Sequence, residues 1–153
     1  MKNLKFIIIA AALALTSACG HQKIKYEGGG LASNEKEGRG IQAQVIWLKR
    51  KKDAIDILMT LQNKYEQNVA FKRSGITLTL NGQQLMLRDA QFTGDMEPNQ
   101  LEKGLLLFAS AAGELPETGV AQLKIDKIVA VSQDEKKTET KLPPLVMELE
   151  VRK

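Results

Sequence analysis

From Ile41 onwards, apolar residues recur at every second position in short segments of the chain. The clearest case is Ile76–Leu80, in which three apolar residues alternate with two threonines. Segments 41–48, 55–61 and 145–151 follow the same alternation. Successive side chains of a strand point to opposite faces of a sheet, so this period predicts strands with one buried face. No stretch shows a convincing helical period, and the pattern predicts an all-β fold.

The segments between these strands have the composition of turns. Charged residues fill 49–53, and a polar loop runs from 89 to 100. Asn81 and Gly82 separate two apolar segments, and both residues tolerate the positive φ angles that a two-residue hairpin turn needs. The spacing predicts an antiparallel sandwich of seven or eight strands. A closed barrel is the alternative.

The first eighteen residues have the three parts of a secretory signal peptide. Lys2 and Lys5 form a short basic segment, residues 6–15 are uncharged and mostly apolar, and Thr16, Ser17 and Ala18 are small. The apolar run has about half of the roughly 20 residues that a membrane-spanning helix needs. We therefore expect residues 1–18 to be a cleaved leader rather than a permanent membrane helix.

Cys19, the only cysteine, follows the small residues directly. Residues 15–19, Leu-Thr-Ser-Ala-Cys, resemble the lipobox of bacterial lipoproteins, although Thr16 replaces the usual leucine. The resemblance implies cleavage before Cys19, a diacylglyceryl group on its sulfur, and a fatty acid such as palmitate on the new amino terminus. Gly20, in place of an aspartate, implies the outer membrane in a bacterium with two membranes. The alternative is ordinary cleavage at the same bond, which would leave a free thiol in an oxidising compartment.

Residues 19–40 carry six glycines and many charges without apolar periodicity, which predicts a flexible lipid-anchored tether. Residues 41–153 then form the domain. His21, the only histidine, lies in this tether, away from any cluster of metal-ligating residues.

The charge balance gives no indication of nucleic-acid binding. The chain has 22 basic and 18 acidic side chains, and the leader removes two lysines and no acidic residue. The mature chain is therefore almost neutral, which argues against nucleic acid as a partner. With Cys19 committed to lipid, no disulfide within the chain is available, and packing must stabilise the fold.

Residues 101–108, Leu-Glu-Lys-Gly-Leu-Leu-Leu-Phe, follow the predicted hairpin of 76–87. In this arrangement the chain resembles the immunoglobulin-like domains of bacterial envelope lipoproteins, over about 41–151. The resemblance implies an immunoglobulin-like sandwich that acts as a non-enzymatic protein-binding or assembly module. A binder of small ligands or glycans, using the loop of 89–100, is the alternative function.

The sequence offers few residues for chemistry. The run Lys49, Arg50, Lys51 and Lys52 is a candidate contact for anionic lipid head groups or glycans, and a solvated hairpin turn is the simpler interpretation. Asp89, Asp95 and Glu97 lack the spacing of a calcium loop. Serine catalysis would need a base held close to the nucleophile, and His21 is the only imidazole. We therefore expect no catalytic residue, metal or cofactor, and a partner protein of the envelope.

Overall fold

The computed structural model describes residues 23–26, 30–34 and 39–152. These residues form thirteen strands and one short 3-10 turn, and they contain no α-helix. The strands are β1 (Lys23–Lys25), β2 (Leu31–Ser33), β3 (Ile41–Arg50), β4 (Ala54–Asn63), β5 (Asn68–Phe71), β6 (Ile76–Leu80), β7 (Gln83–Ala90), β8 (Asp95–Met96), β9 (Leu101–Ala109), β10 (Gly119–Ile125), β11 (Ile128–Val131), β12 (Glu139–Lys141) and β13 (Leu145–Val151), and the 3-10 turn is Arg73–Gly75.

Nine of these strands form one antiparallel sheet, which we call the large sheet. Its order is β1-β3-β4-β9-β7-β6-β10-β13, and β2 also pairs with β3. The last strand, β13, contacts β2 and β3 at the other side of the sheet. The large sheet therefore curls until its two sides meet, which makes it nearly barrel-shaped.

Side chains from the amino-terminal segments join these two sides. The Tyr26 hydroxyl donates to the Glu150 carbonyl oxygen of β13 at 2.5 Å, and the Asn34 side-chain amide donates to the Pro143 carbonyl oxygen at 2.9 Å. Gly30 lies between the sides with a φ of 63°, and a Cβ there would lie 2.9 Å from the Cβ of Val45. A side chain at position 30 would push the two sides apart, so glycine suits this position.

The all-β, antiparallel part of the prediction is confirmed, and its finer part is not. The described residues hold thirteen strands rather than seven or eight, and the immunoglobulin-like sandwich is not confirmed. The curled large sheet is nearer to the barrel alternative. The structure also differs from the predicted tether of 19–40, because β1 and β2 lie within those bounds and pair with β3.

The predicted hairpins are confirmed, with one correction on the buried face of β3. The first joins β3 to β4, and the second turns at Asn81 and Gly82, with φ angles of 49° and 82°. The alternation of segment 41–48 predicts Trp47 on the buried face together with Val45. A bulge between these two residues shifts the register, so Leu48 is buried instead and Trp47 is only half-buried.

The large sheet has two ends, which we define by the chain segments found there. The near end holds the start of β1 at Lys23, the β3–β4 turn and the loop of 110–118. The far end holds the last residue of β4, Asn63, and the first residue of β9, Leu101. Because β3 and β4 each have ten residues, the two ends are about 30 Å apart along the strands.

The other four strands form a small sheet at the far end, in the order β12-β11-β5-β8. Its strands continue the chain from β4 into β5 and from β10 into β11. One face of the small sheet carries buried residues such as Val69 and Ile128, which belong to the same hydrophobic core as the large sheet. The opposite face is left open to solvent.

Several predicted features lie outside the described residues. These are the leader of 1–18, Cys19 and His21. Among residues 23–26, 30–34 and 39–152, no helix has the length and apolar character needed to span a bilayer.

Candidate binding groove

The open face of the small sheet carries two rows of side chains, which follow from its strand register. Residues directly opposite each other in antiparallel strands share a face. Ala70 of β5 pairs with Asp95 on one side and Val129 on the other, and Val129 pairs with Lys141 of β12. In the second row, Val131 of β11 lies between Asn68 and Glu139. Short apolar side chains thus occupy the centre of the face, and longer polar ones occupy its edges.

This arrangement produces a depression, which we call the outer groove. It has two adjoining parts, of about 500 and about 380 Å³, which share Ala70 and Asp95. The floor is formed by Ala70, Val129 and Val131, all half-buried. The other residues that line the two parts are Asn68, Phe71, Lys72, Thr93, Gly94, Lys127, Ser132, Gln133, Lys137, Glu139 and Lys141.

The rim of the outer groove is charged, with an excess of lysines. Four lysines line it, at positions 72, 127, 137 and 141, against the two carboxylates of Asp95 and Glu139. None of these six side chains makes an ion pair with another described residue. Their charges are therefore available to a ligand, and the net positive rim favours a ligand that carries carboxylate or other anionic groups.

One of these lysines lies on a tightly constrained turn. Lys127 has a φ of 56°, a conformation that costs an ordinary side chain about 1 kcal/mol or more. Its backbone N–H donates to the Asp126 carboxylate at 2.7 Å. That bond, with the Lys124 ammonium 3.0 Å away, holds the pKa of Asp126 below its usual value. A charged Asp126 therefore fixes the turn that presents Lys127 to the outer groove.

The β8 side of the outer groove is fixed by a buried amide. Asn63, fully buried at the end of β4, donates to the carbonyl oxygens of Gln67, Met96 and Glu97 at 2.9, 3.2 and 3.0 Å. Its side-chain oxygen accepts the Tyr65 backbone N–H at 2.9 Å. The Asn63 amide thus ties β8 to the large sheet.

The basic run that the sequence singled out lies at the near end, and it mostly binds its own chain. The Arg50 guanidinium donates to the carbonyl oxygens of Leu115 and Pro116 at 2.6 and 2.8 Å. The Lys51 ammonium lies 2.6 Å from the Asp56 carboxylate. The other two lysines of the run are less engaged: Lys52 lies 3.9 Å from Glu114, and Lys49 lies on β3.

The carboxylates considered for calcium serve different roles. Asp89 pairs with Arg73 at 3.2 Å, whereas Asp95 lines the outer groove. Within the described part of the chain, no three His, Cys, Asp or Glu side chains are grouped closely enough to hold a metal ion.

Sequence reasoning missed most of the outer groove. Two of its floor residues come from segment 128–131, Ile-Val-Ala-Val, which is apolar on both faces of its strand. A surface strand usually carries polar residues on its exposed face. The apolar residues on both faces of 128–131 were therefore the one feature of the sequence that could have indicated the outer groove. The charged rim gave no signal, because it comes from segments up to about 70 residues apart that only the strand register brings together.

These features define a small all-β domain with a groove at one end, and its fold has a counterpart among solved structures. No family model matches the sequence, and no curated protein matches it either. The chain is similar in fold to the crystal structure of a candidate lipoprotein (ycdA) from Bacillus subtilis subsp. subtilis str. 168, with a TM-score of 0.53 and 10% sequence identity. The match covers 81% of this chain and 39% of that one, so this chain spans well under half the length of the Bacillus protein.

Proposed function

We propose that this protein is a lipid-anchored lipoprotein of the bacterial envelope that acts by binding rather than by catalysis. The lipid would be carried on Cys19, and Gly20 favours residence in the outer membrane of a bacterium with two membranes. The resemblance of 15–19 to a lipobox supports the anchor. The fold shared with a Bacillus protein described as a candidate lipoprotein is consistent with it.

The outer groove is the observation that carries the binding function. It is open rather than enclosed, it has an apolar floor, and its charged side chains are unpaired within the described residues. An open groove of this kind fits an extended segment of another protein better than a compact molecule that needs burial on all sides. The lysine-rich rim favours a segment with acidic side chains beside small apolar ones. The proposed ligand is such a segment of a partner protein in the envelope.

Two substitutions test this site without disturbing the fold. Lys127 and Lys137 both have positive φ angles, 56° and 44°, so Lys127→Gly and Lys137→Gly relieve strain while they remove two rim charges. Asn99→Gly is the matched control, since Asn99 has a φ of 62° and lies outside the outer groove.

The experiment is affinity capture of cross-linked envelope complexes with the lipidated protein. The wild type and Asn99→Gly are expected to enrich the same partner, and the double glycine variant is expected to lose it. Equal enrichment by all three proteins would remove the outer groove from the proposal. A protein that enriches no partner at all would count against the binding function as a whole.

A binder of small ligands or glycans is the second candidate. One observation favours it: the loop of 89–100, considered for this role from sequence, contributes Thr93, Gly94 and Asp95 to the outer groove. Titration of the purified protein with envelope glycans separates the two functions. Only the second candidate predicts saturable binding without a partner protein.

A further inference from the structure

The near end of the large sheet carries a basic and aromatic surface next to the point where the lipid anchor would join the domain. β1 pairs with β3 so that Lys23 lies opposite Lys49 and Lys25 lies opposite Trp47. These four residues therefore share one outward face of two adjacent strands. We call them the near-end patch.

Charge and side-chain type make the near-end patch suited to a membrane surface. The Lys23 ammonium lies 4.8 Å from the centre of the Trp47 ring, a cation–π contact. The three lysines of the near-end patch make no ion pair with a described residue. Asp56, which lies opposite Lys49 on β4, binds Lys51 instead. Glu150, whose carbonyl oxygen accepts from Tyr26, binds Arg152. Tryptophan and lysine together are typical of protein surfaces at the level of lipid head groups.

Chain length places this surface close to the anchor. Lys23 is the fourth residue after Cys19, and four residues span at most about 14 Å. The predicted tether of 19–40 would have let the domain move up to tens of ångströms from the membrane. The pairing of β1 with β3 removes that freedom, because the domain already begins at Lys23.

We propose that the near-end patch lies against the head-group layer of the bilayer, where its lysines bind anionic phospholipid. This inference rests on the proposed lipid anchor at Cys19 and gives the anchored domain a fixed orientation. The far end and the outer groove then lie about 30 Å along the strands from this contact, where a partner protein can reach them.

Trp47 is the only tryptophan of the chain, so it serves as a native probe for this contact. The lipidated protein is incorporated in phosphatidylcholine vesicles, with or without phosphatidylglycerol, that contain a lipid with a nitroxide on its head group. We expect strong quenching of Trp47 fluorescence in vesicles with phosphatidylglycerol. We expect weak quenching in pure phosphatidylcholine. We also expect high salt to abolish the strong quenching seen with phosphatidylglycerol, because salt screens the charges of the lysines.

A pair of charge-matched variants identifies the residues. Each lysine near an anionic surface strengthens membrane binding about fivefold. The double variant Lys23→Glu with Lys49→Glu removes two such lysines, so we expect the ratio of membrane-contacting to detached domains to fall about 25-fold or more. Its quenching then falls to the level seen in pure phosphatidylcholine. The control, Lys103→Glu with Lys136→Glu, changes two exposed lysines outside the patch and is expected to keep the wild-type quenching. The lipid and salt comparisons need no variant, so they remain decisive if the patch variant fails to fold.

The outcomes separate this inference from the anchor on which it rests. A protein that floats with vesicles while Trp47 stays unquenched overturns the near-end patch and leaves the anchor intact. Equal loss of quenching in the patch and control variants also overturns it. A protein that does not float and shows an unmodified Cys19 by mass spectrometry overturns the anchor and the oriented contact together.

Discussion

Replacement of Asn63 by alanine is expected to destabilise the whole fold while acting at one side of the outer groove. The Asn63 amide has two hydrogens, shared among three carbonyl oxygens, and its oxygen accepts one further bond. The substitution therefore removes about three hydrogen bonds from a site with no solvent exposure. At about 1 kcal/mol for each bond, the expected loss is about 3 kcal/mol of unfolding free energy.

Urea unfolding followed by Trp47 fluorescence measures this loss. Trp47 lies on β3 beyond the bulge, towards the near end and away from Asn63, so it reports global unfolding rather than a local change. The control is Gln84→Ala, which truncates an exposed amide on β7. An unfolding free energy for Asn63→Ala within about 0.5 kcal/mol of that control would show that these hydrogen bonds do not stabilise the fold, because surface substitutions without special contacts stay within that range.

Three further substitutions follow from single contacts. Burial raises the pKa of Tyr26 to about 12, so the folded state favours the protonated phenol. The unfolding free energy measured in urea should therefore fall as pH rises from about 10 to about 12. Tyr26→Phe should make this fall smaller. Gly104→Ala would place a Cβ 2.3 Å from the Gln91 carbonyl oxygen, and thermal unfolding should show a loss of about 1 to 3 kcal/mol, whereas an unchanged Tm would contradict the close approach. Lys51→Met leaves the Asp56 carboxylate without its partner at 2.6 Å, and urea unfolding is expected to show a loss of about 2 kcal/mol, whereas an unchanged unfolding free energy would contradict the ion pair.

The strands with an alternating apolar pattern were predictable, because their burial depends on the strand itself. Ile76–Leu80 and Leu145–Val151 have the inward and outward faces that their sequences indicate. The turn at Asn81 was also predictable, since its φ angles follow from local residue preferences. These features need no knowledge of which strands become neighbours.

The elements that sequence reasoning missed depend on distant partners. β1, Lys-Ile-Lys, and β12, Glu-Thr-Lys, are too short and too polar to show a pattern, and β3 and β11 hold them by strand pairing. The bulge that moves Trp47 out of the core follows from the pairing of β3 with β4. The outer groove likewise exists only once β5, β8, β11 and β12 are in register. Such features follow from tertiary contacts and cannot be predicted from local pattern alone.

Site-specific photo-cross-linking in living bacteria shows whether a partner protein contacts the outer groove. A photoreactive amino acid is placed at Val129 on the floor of the outer groove, and in a second protein at Val120, which is 53% exposed on the large sheet. We expect a discrete cross-linked protein adduct from position 129 and none from position 120. Adducts from position 120 alone, or the same adducts from both positions, would contradict the assignment of the outer groove as the binding site.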